Sequence, residues 1–184
     1  MTPIDHIREL LHIVAGLLIW PVLLALLALT LATIIALGAT LREAFDRWRG
    51  KRRAVARGEA WLEAALDGPS DEATDIRLER ALQDSERRLW QSPTRLKLAV
   101  RVGPALGLMG TLIPMAYALQ GLATGDLPAL ASNLVTAFAA TVIGLAVSIL
   151  AYLMAAAREN WARADSQALA FHAETLLRRE GKSA

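Results

Sequence analysis

The sequence has no cysteine. Disulfides and cysteine-ligated metals are therefore excluded, and the redox compartment is left open. The three histidines, His6, His12 and His172, are scattered along the chain, so no shared metal site is expected. No glycine-rich phosphate loop, nucleophile elbow, internal repeat or low-complexity segment is present. Neither enzymatic chemistry nor a cofactor is expected. The absence with the largest consequence is of charge. No Asp, Glu, Lys or Arg stands between Glu9 and Arg42, between Arg101 and Asp126, or between Asp126 and Arg158.

Apolar residues fill those stretches. They make up 54% of the 184 residues, and mean hydropathy is +0.35. A bilayer core of about 30 Å needs roughly 20 helical residues, and each stretch passes that test. The sequence predicts three transmembrane helices, at 13–38, 99–123 and 128–156. The first could mimic a signal peptide, but its apolar run exceeds the usual hydrophobic region of about 7–15 residues. It also lacks a basic leader, since Asp5 and Glu9 offset Arg8, so it is read as a retained span.

The net charge of +2 conceals an uneven distribution of the 20 Lys and Arg. Only Arg8 precedes the first span, and none lies in the short segment 124–127. Fourteen fall between Arg42 and Arg101, and five between Arg158 and Lys182. Positive charge stays on the cytoplasmic side. The loop 39–98 and the tail 157–184 are therefore expected inside, and the segment 1–12 and the turn 124–127 outside. The fold class expected is an all-α, polytopic membrane protein. Its three transmembrane helices extend into the cytoplasm, N-out and C-in. Glu59, Glu63, Asp67, Asp71 and Glu72 are interspersed among the basic residues of the loop, which reads as solvated helix faces rather than a nucleic-acid surface.

Local signals divide the chain further. Ile4, Ile7, Leu10 and Leu11 follow helical spacing and place the N-terminal segment on the outer membrane surface. Pro21, after Trp20, removes a backbone hydrogen bond and predicts a kink in the first span. Residues 41–66 read as one helix, with Leu41, Phe45 and Trp48 on one face and Trp61, Leu62, Ala65 and Leu66 on another. Asp67-Gly-Pro-Ser70 reads as a turn, and 72–90 as a further helix half-burying Ile76, Leu78, Leu82 and Leu89. Ser92-Pro93 reads as a fresh helix start, running into the second span. Asp126 is expected to cap the third span, which Leu127-Pro128 opens. That helix continues through Trp161, Leu169, Phe171 and Leu176 to near Gly181.

Two threonines stand out within the uncharged stretches. They are Thr111 in Gly107-Leu-Met-Gly-Thr111-Leu and Thr141 in Ala137-Phe-Ala-Ala-Thr141-Val-Ile-Gly144-Leu. At 1.5 Å per residue, Thr111 lies roughly 15–18 Å from the cytoplasmic start of its span, and Thr141 about 20 Å from the outer start of the next. The two helices run antiparallel, so the depths nearly coincide and one polar belt can form. Gly107 and Thr111 share one face, and Ala137, Thr141, Gly144 and Ser148 share another. Tight packing, with each hydroxyl bonded to its own helix, accounts for the same pattern. No ionisable group lies inside any span, although ion translocation usually needs one. A titrating carboxylate would have to come from another chain. Three helices also cannot enclose a pore, so an oligomer with a partner is expected.

Gly103-Pro-Ala-Leu-Gly107-Leu-Met-Gly-Thr111-Leu and Ala137-Phe-Ala-Ala-Thr141-Val-Ile-Gly144-Leu resemble the paired motifs of the MotA/TolQ/ExbB proton channel family. They do so in order, spacing and threonine placement, over about 100–157. The three-span layout is similar to the ExbB and TolQ branch, since MotA has four spans. The resemblance implies a pore-forming subunit of a motor driven by proton motive force in the inner membrane. It implies a homo-oligomer, a pentamer, around a dimer of a single-pass ExbD-, TolR- or MotB-like protein that supplies an aspartate. Thr111, Thr141 and Ser148 would line the ion pathway, with Gly107, Gly110, Ala137 and Gly144 packing the helices at the pore. Thr136 stands where ExbB and TolQ carry a glutamate. MotA also lacks that glutamate, and the coupling ion, proton or sodium, stays open. The alternatives are a non-conducting oligomeric scaffold and, less well matched, a small transporter, for which three spans without internal repeats leave little room. The load is open among nutrient uptake, envelope maintenance, surface motility and phage defence, with a flagellar rotor the least expected.

Overall fold

The computed structural model describes residues 3–66 and 74–183, and among these every regular element is a helix. The four are α1 (Pro3–Trp48), α2 (Arg53–Leu66), α3 (Thr74–Thr124) and α4 (Leu127–Ser183). The helices α1, α3 and α4 are each long and apolar enough to cross a membrane by length and composition. The all-helical class and the three candidate spans agree with the sequence reading. The turn expected at Asp67-Gly-Pro-Ser70 lies outside the described residues.

Two glycines end helices by the same device. Gly50 adopts a left-handed backbone, φ 78°, just past α1. Its N–H donates to the Arg47 carbonyl at 2.9 Å, and the Lys51 N–H donates to the Asp46 carbonyl at 2.9 Å. This pair of bonds is a Schellman cap, which satisfies the last carbonyls and needs a residue without a Cβ at the left-handed position. The chain over 41–66 is therefore two helices, a correction to the single helix expected, and Gly50 is the cause. Gly125, φ 73°, closes α3 in the same way, with bonds from Gly125 to Leu122 and from Asp126 to Gly121. Asp126 then opens α4 as expected, its carboxylate accepting from the Ala129 N–H at 3.0 Å.

A second correction concerns proline. Ser92-Pro93 does not start a helix: α3 passes through it without interruption. Pro93 is buried inside α3, and the Ser92 hydroxyl accepts a hydrogen bond from Arg158 instead of capping. Pro21 likewise lies within the continuous α1.

The chain divides into two compact units. An apolar unit comprises Met1–Leu37 and Lys97–Tyr152, and a charged unit comprises Gly38–Leu96 and Leu153–Ala184. Within the charged unit, Val55 and Leu62 of α2, Leu78 and Ala81 of α3, and Leu169, Ala173 and Leu176 of α4 form one buried cluster. Gly58 lets α2 approach α4 there: a methyl group at Gly58 would lie 2.6 Å from the Leu169 side chain. Within the apolar unit, Val22, Leu26 and Thr33 of α1 are buried, as are Ala118 of α3 and Ala137, Ala140, Val147 and Ala151 of α4.

Candidate functional site

The antiparallel seam of α3 and α4 in the apolar unit is built on backbone contact. A methyl group at Gly144 would lie 2.7 Å from the Gly103 carbonyl oxygen and 2.8 Å from the Gly107 Cα. One at Gly107 would lie 3.3 Å from the Gly144 Cα and 3.5 Å from the Thr141 Cα. One at Gly110 would meet the Ala140 Cβ at 2.7 Å. At Gly144 and Gly110 the distances leave no room for a methyl group without movement, and at Gly107 the fit is tight, so glycine on both sides sets how closely the helices approach. Four of the residues singled out from the sequence, Gly107, Gly110, Ala137 and Gly144, are buried in this unit. Gly103 and Ala140 complete the seam. Ala140 sits one turn from both Ala137 and Gly144, a spacing that marks it from sequence as part of the same face.

The hydroxyls flank this seam. Thr111 and Thr141 are both half-buried. Thr111 Oγ1 donates to its own helix, to the Leu108 carbonyl at 2.7 Å. Thr141 lies beside Gly107, about one helical turn before Thr111 along α3. The belt is thus staggered by roughly a turn, about 5 Å along the axis. Among the described residues Thr141 makes no side-chain hydrogen bond, and its hydroxyl is a free donor and acceptor. Thr136 is exposed and bonds back to the Ser132 carbonyl at 3.0 Å.

Ser148 has a defined partner. Its hydroxyl donates across the seam to the Val100 carbonyl at 2.9 Å. Proline at position 104 has no N–H, so the carbonyl four residues earlier, that of Val100, loses its helical partner. In an apolar setting an unsatisfied carbonyl is costly, and a hydroxyl from a neighbouring helix compensates for it. The pairing of Pro104 with Ser148 joins residues 44 positions apart and is not visible in either helix by itself.

The charged unit holds a second constellation, which sequence reasoning missed. Asp165 of α4 is fully buried and paired through both carboxylate oxygens with Arg47 of α1, one contact being 3.1 Å. The Arg47 Nη2 that makes the second contact with Asp165 also donates to Glu43 at 3.3 Å. Arg158 donates to Thr40 Oγ1 at 3.0 Å and to Ser92, and lies 3.9 Å from Glu43. The Arg47 guanidinium sits 5.0 Å from the Trp161 ring centroid. The signal available was Asp165 at helical spacing from Ala162 and Leu169 on an apolar stripe, where a charge demands a partner. Among the described residues no group of His, Cys, Asp and Glu is placed to hold a metal ion.

An all-helical chain with three candidate spans and a glycine-built helical hairpin is a multi-pass membrane protein. The MotA/TolQ/ExbB proton channel family model matches residues 49–170, more than half of the chain. The chain belongs to the MotA/TolQ/ExbB proton channel family. That family is one of channels and not a known enzyme family, and it works in complexes with ExbD-, TolR- or MotB-type partners. No curated protein and no solved structure gives a significant match to the chain.

Proposed function

We propose that this chain is the pore-forming subunit of an ion-driven motor in the inner membrane, N-out and C-in. Five copies surround a dimer of a single-pass ExbD/TolR/MotB-like partner whose aspartate titrates in the pore. The observation that carries this reading is Thr141. Its hydroxyl stands beside the tightest part of the α3–α4 seam without a hydrogen bond among the described residues. No charge lies in the same stretch from Asp126 to Arg158. A free hydroxyl in a chain without an intramembrane carboxylate is a ready partner for a carboxylate brought by another chain. Thr111 stands a turn away, and Thr136 replaces the glutamate of the ExbB and TolQ branch without removing this capacity.

Thr141→Val removes the hydroxyl at nearly constant volume. The expected outcome is loss of proton flux and of partner-driven work with the native mass of the assembly unchanged. Full flux through the Thr141→Val assembly would overturn the polar-belt mechanism. A second reading, a non-conducting scaffold, draws on Thr111 and Ser148, whose hydroxyls are already committed to carbonyls. The native mass of the purified chain separates the two. Five copies gaining two copies of a co-expressed single-span protein favour the motor, and a monomer or dimer that ignores that protein favours the scaffold.

A further inference from the structure

The end of α1 carries a surface that the channel reading leaves without a role. Leu41, Phe45 and Trp48 recur at helical spacing and are all exposed, Trp48 to 84%. Leu41 stands beside Arg42, the first charge after the uncharged run that begins at Glu9. Phe45 and Trp48 follow about 6 and 10 Å further along the helix axis. A headgroup layer of about 5–7.5 Å on each side of the core reaches Phe45 and ends near Trp48, and amphipathic rings gather there. The two rings pack against each other with centroids 6.1 Å apart.

Cations surround these rings in excess. Arg42, Arg49, Lys51 and Arg52 are exposed and, among the described residues, enter no ion pair. The nearby acids are already engaged, Glu43 by Arg47 and Asp46 by Arg53 at 3.3 Å. The Arg49 guanidinium lies 4.2 Å from the Phe45 ring centroid, which keeps it beside the apolar stripe. The left-handed turn at Gly50 keeps Lys51 and Arg52 at the helix end.

We propose that the end of α1 and the turn 49–52 form a binding site for an anionic phospholipid. The headgroup phosphate is held by Arg49, Lys51 and Arg52, the glycerol lies against Phe45 and Trp48, and the upper acyl carbons lie against Leu41. Basic clusters next to a span attract anionic headgroups. An acidic soluble partner would use the charges but leave the apolar stripe in water. A second copy presenting this face would bring like charges together. The proposal rests on α1 crossing the membrane and is independent of whether the pore conducts.

The test uses the full chain in phosphatidylcholine vesicles with a minor share of dibrominated phosphatidylglycerol, a tryptophan quencher, against the same share of dibrominated phosphatidylcholine. The Trp48 signal is the difference between the wild type and Trp48→Phe. The anionic quencher is expected to reduce it at least about twofold more than the zwitterionic one. The triple change R49Q/K51Q/R52Q should abolish the preference and R49K/R52K should keep it. Raising salt from about 0.1 to about 0.5 M should weaken it in the wild type, which serves as the test should the triple variant fail to insert. Equal quenching by the two lipids, no quenching by either, a preference that survives the triple variant, or one indifferent to salt would each overturn the proposal.

Discussion

The two units of this chain are packed by opposite rules. In the apolar unit the buried residues of α3 and α4 are small, while Leu108, Leu112, Leu119, Val135, Phe138 and Val142 face outward. In the charged unit Leu62, Leu78 and Leu169 are fully buried, together with a carboxylate, Asp165. The solvent explains the inversion. Burying a leucine from water is worth about 1.5–3 kcal/mol, so the charged unit places its leucines inside. Lipid is as apolar as leucine, so nothing is gained by turning one inward, and helices adhere by close approach of small residues and by hydroxyl bonds. Glycine in the apolar unit does the work that leucine does in the charged one.

The largest effect should come from breaking the charged unit's buried pair. Asp165→Ala leaves Arg47, itself mostly buried, without its main partner, and a loss of about 3–5 kcal/mol is expected. Chemical denaturation of the purified chain, followed by hydrogen exchange in α2 and the end of α4, reads it. Replacing both partners, Asp165→Leu with Arg47→Met, should recover part of the loss, because no charge is then left unpaired. If the double variant is no better than Asp165→Ala, the pair acts through shape and not charge, and the contrast with the apolar unit narrows.

The apolar unit is broken from the other direction, by adding atoms. Gly144→Ala pushes a methyl group against the backbone of Gly103 and Gly107, which cannot rotate away. An overpacking cost of about 1–3 kcal/mol is expected, visible as weakened assembly in detergent. Gly58→Ala in the charged unit meets a Leu169 side chain instead of backbone. That site should be rescued by Leu169→Val, whereas no side-chain change can rescue Gly144→Ala.

Much of this was legible in the sequence, and what was not has a common cause. Uncharged runs reported the three candidate spans, because transfer to lipid depends on composition. Asp126 was legible as a cap, since a carboxylate before Leu127-Pro128 has one local use. Ser92-Pro93 misled, because Pro93 is taken up inside a continuous helix and the Ser92 hydroxyl serves Arg158, 66 positions away, instead of a cap. The seam glycines were legible as small residues, but their pairing, Gly103 with Gly144 and Gly107 with Thr141, depends on register. The free hydroxyl of Thr141 and the Ser148 bond to Val100 follow from that register. The Arg47–Asp165 pair joins residues more than a hundred positions apart, and only the fold brings them together.

The smallest effect offers the sharpest control. Gly50 and Gly125 share one geometry, a left-handed residue closing a Schellman cap, and one lies in each unit. Nothing lies within 4 Å of a Cβ built on either, so Gly→Ala at both sites tests backbone strain alone. A non-glycine residue in this conformation costs about 1–2 kcal/mol. The cost is set by atoms of the same residue and its neighbours, so Gly50→Ala and Gly125→Ala should match within about 0.5 kcal/mol. Asn at either site should cost less, because its side chain tolerates the left-handed region. Local exchange of the Lys51 and Asp126 amides, whose bonds close the two caps, measures both effects in one sample. Equal costs would assign the inversion of packing to solvent and not to any difference in backbone rules. A Gly125→Ala cost well above that of Gly50→Ala would mean that the α3–α4 turn is covered in the assembly, and that the apolar unit extends its close packing to that end.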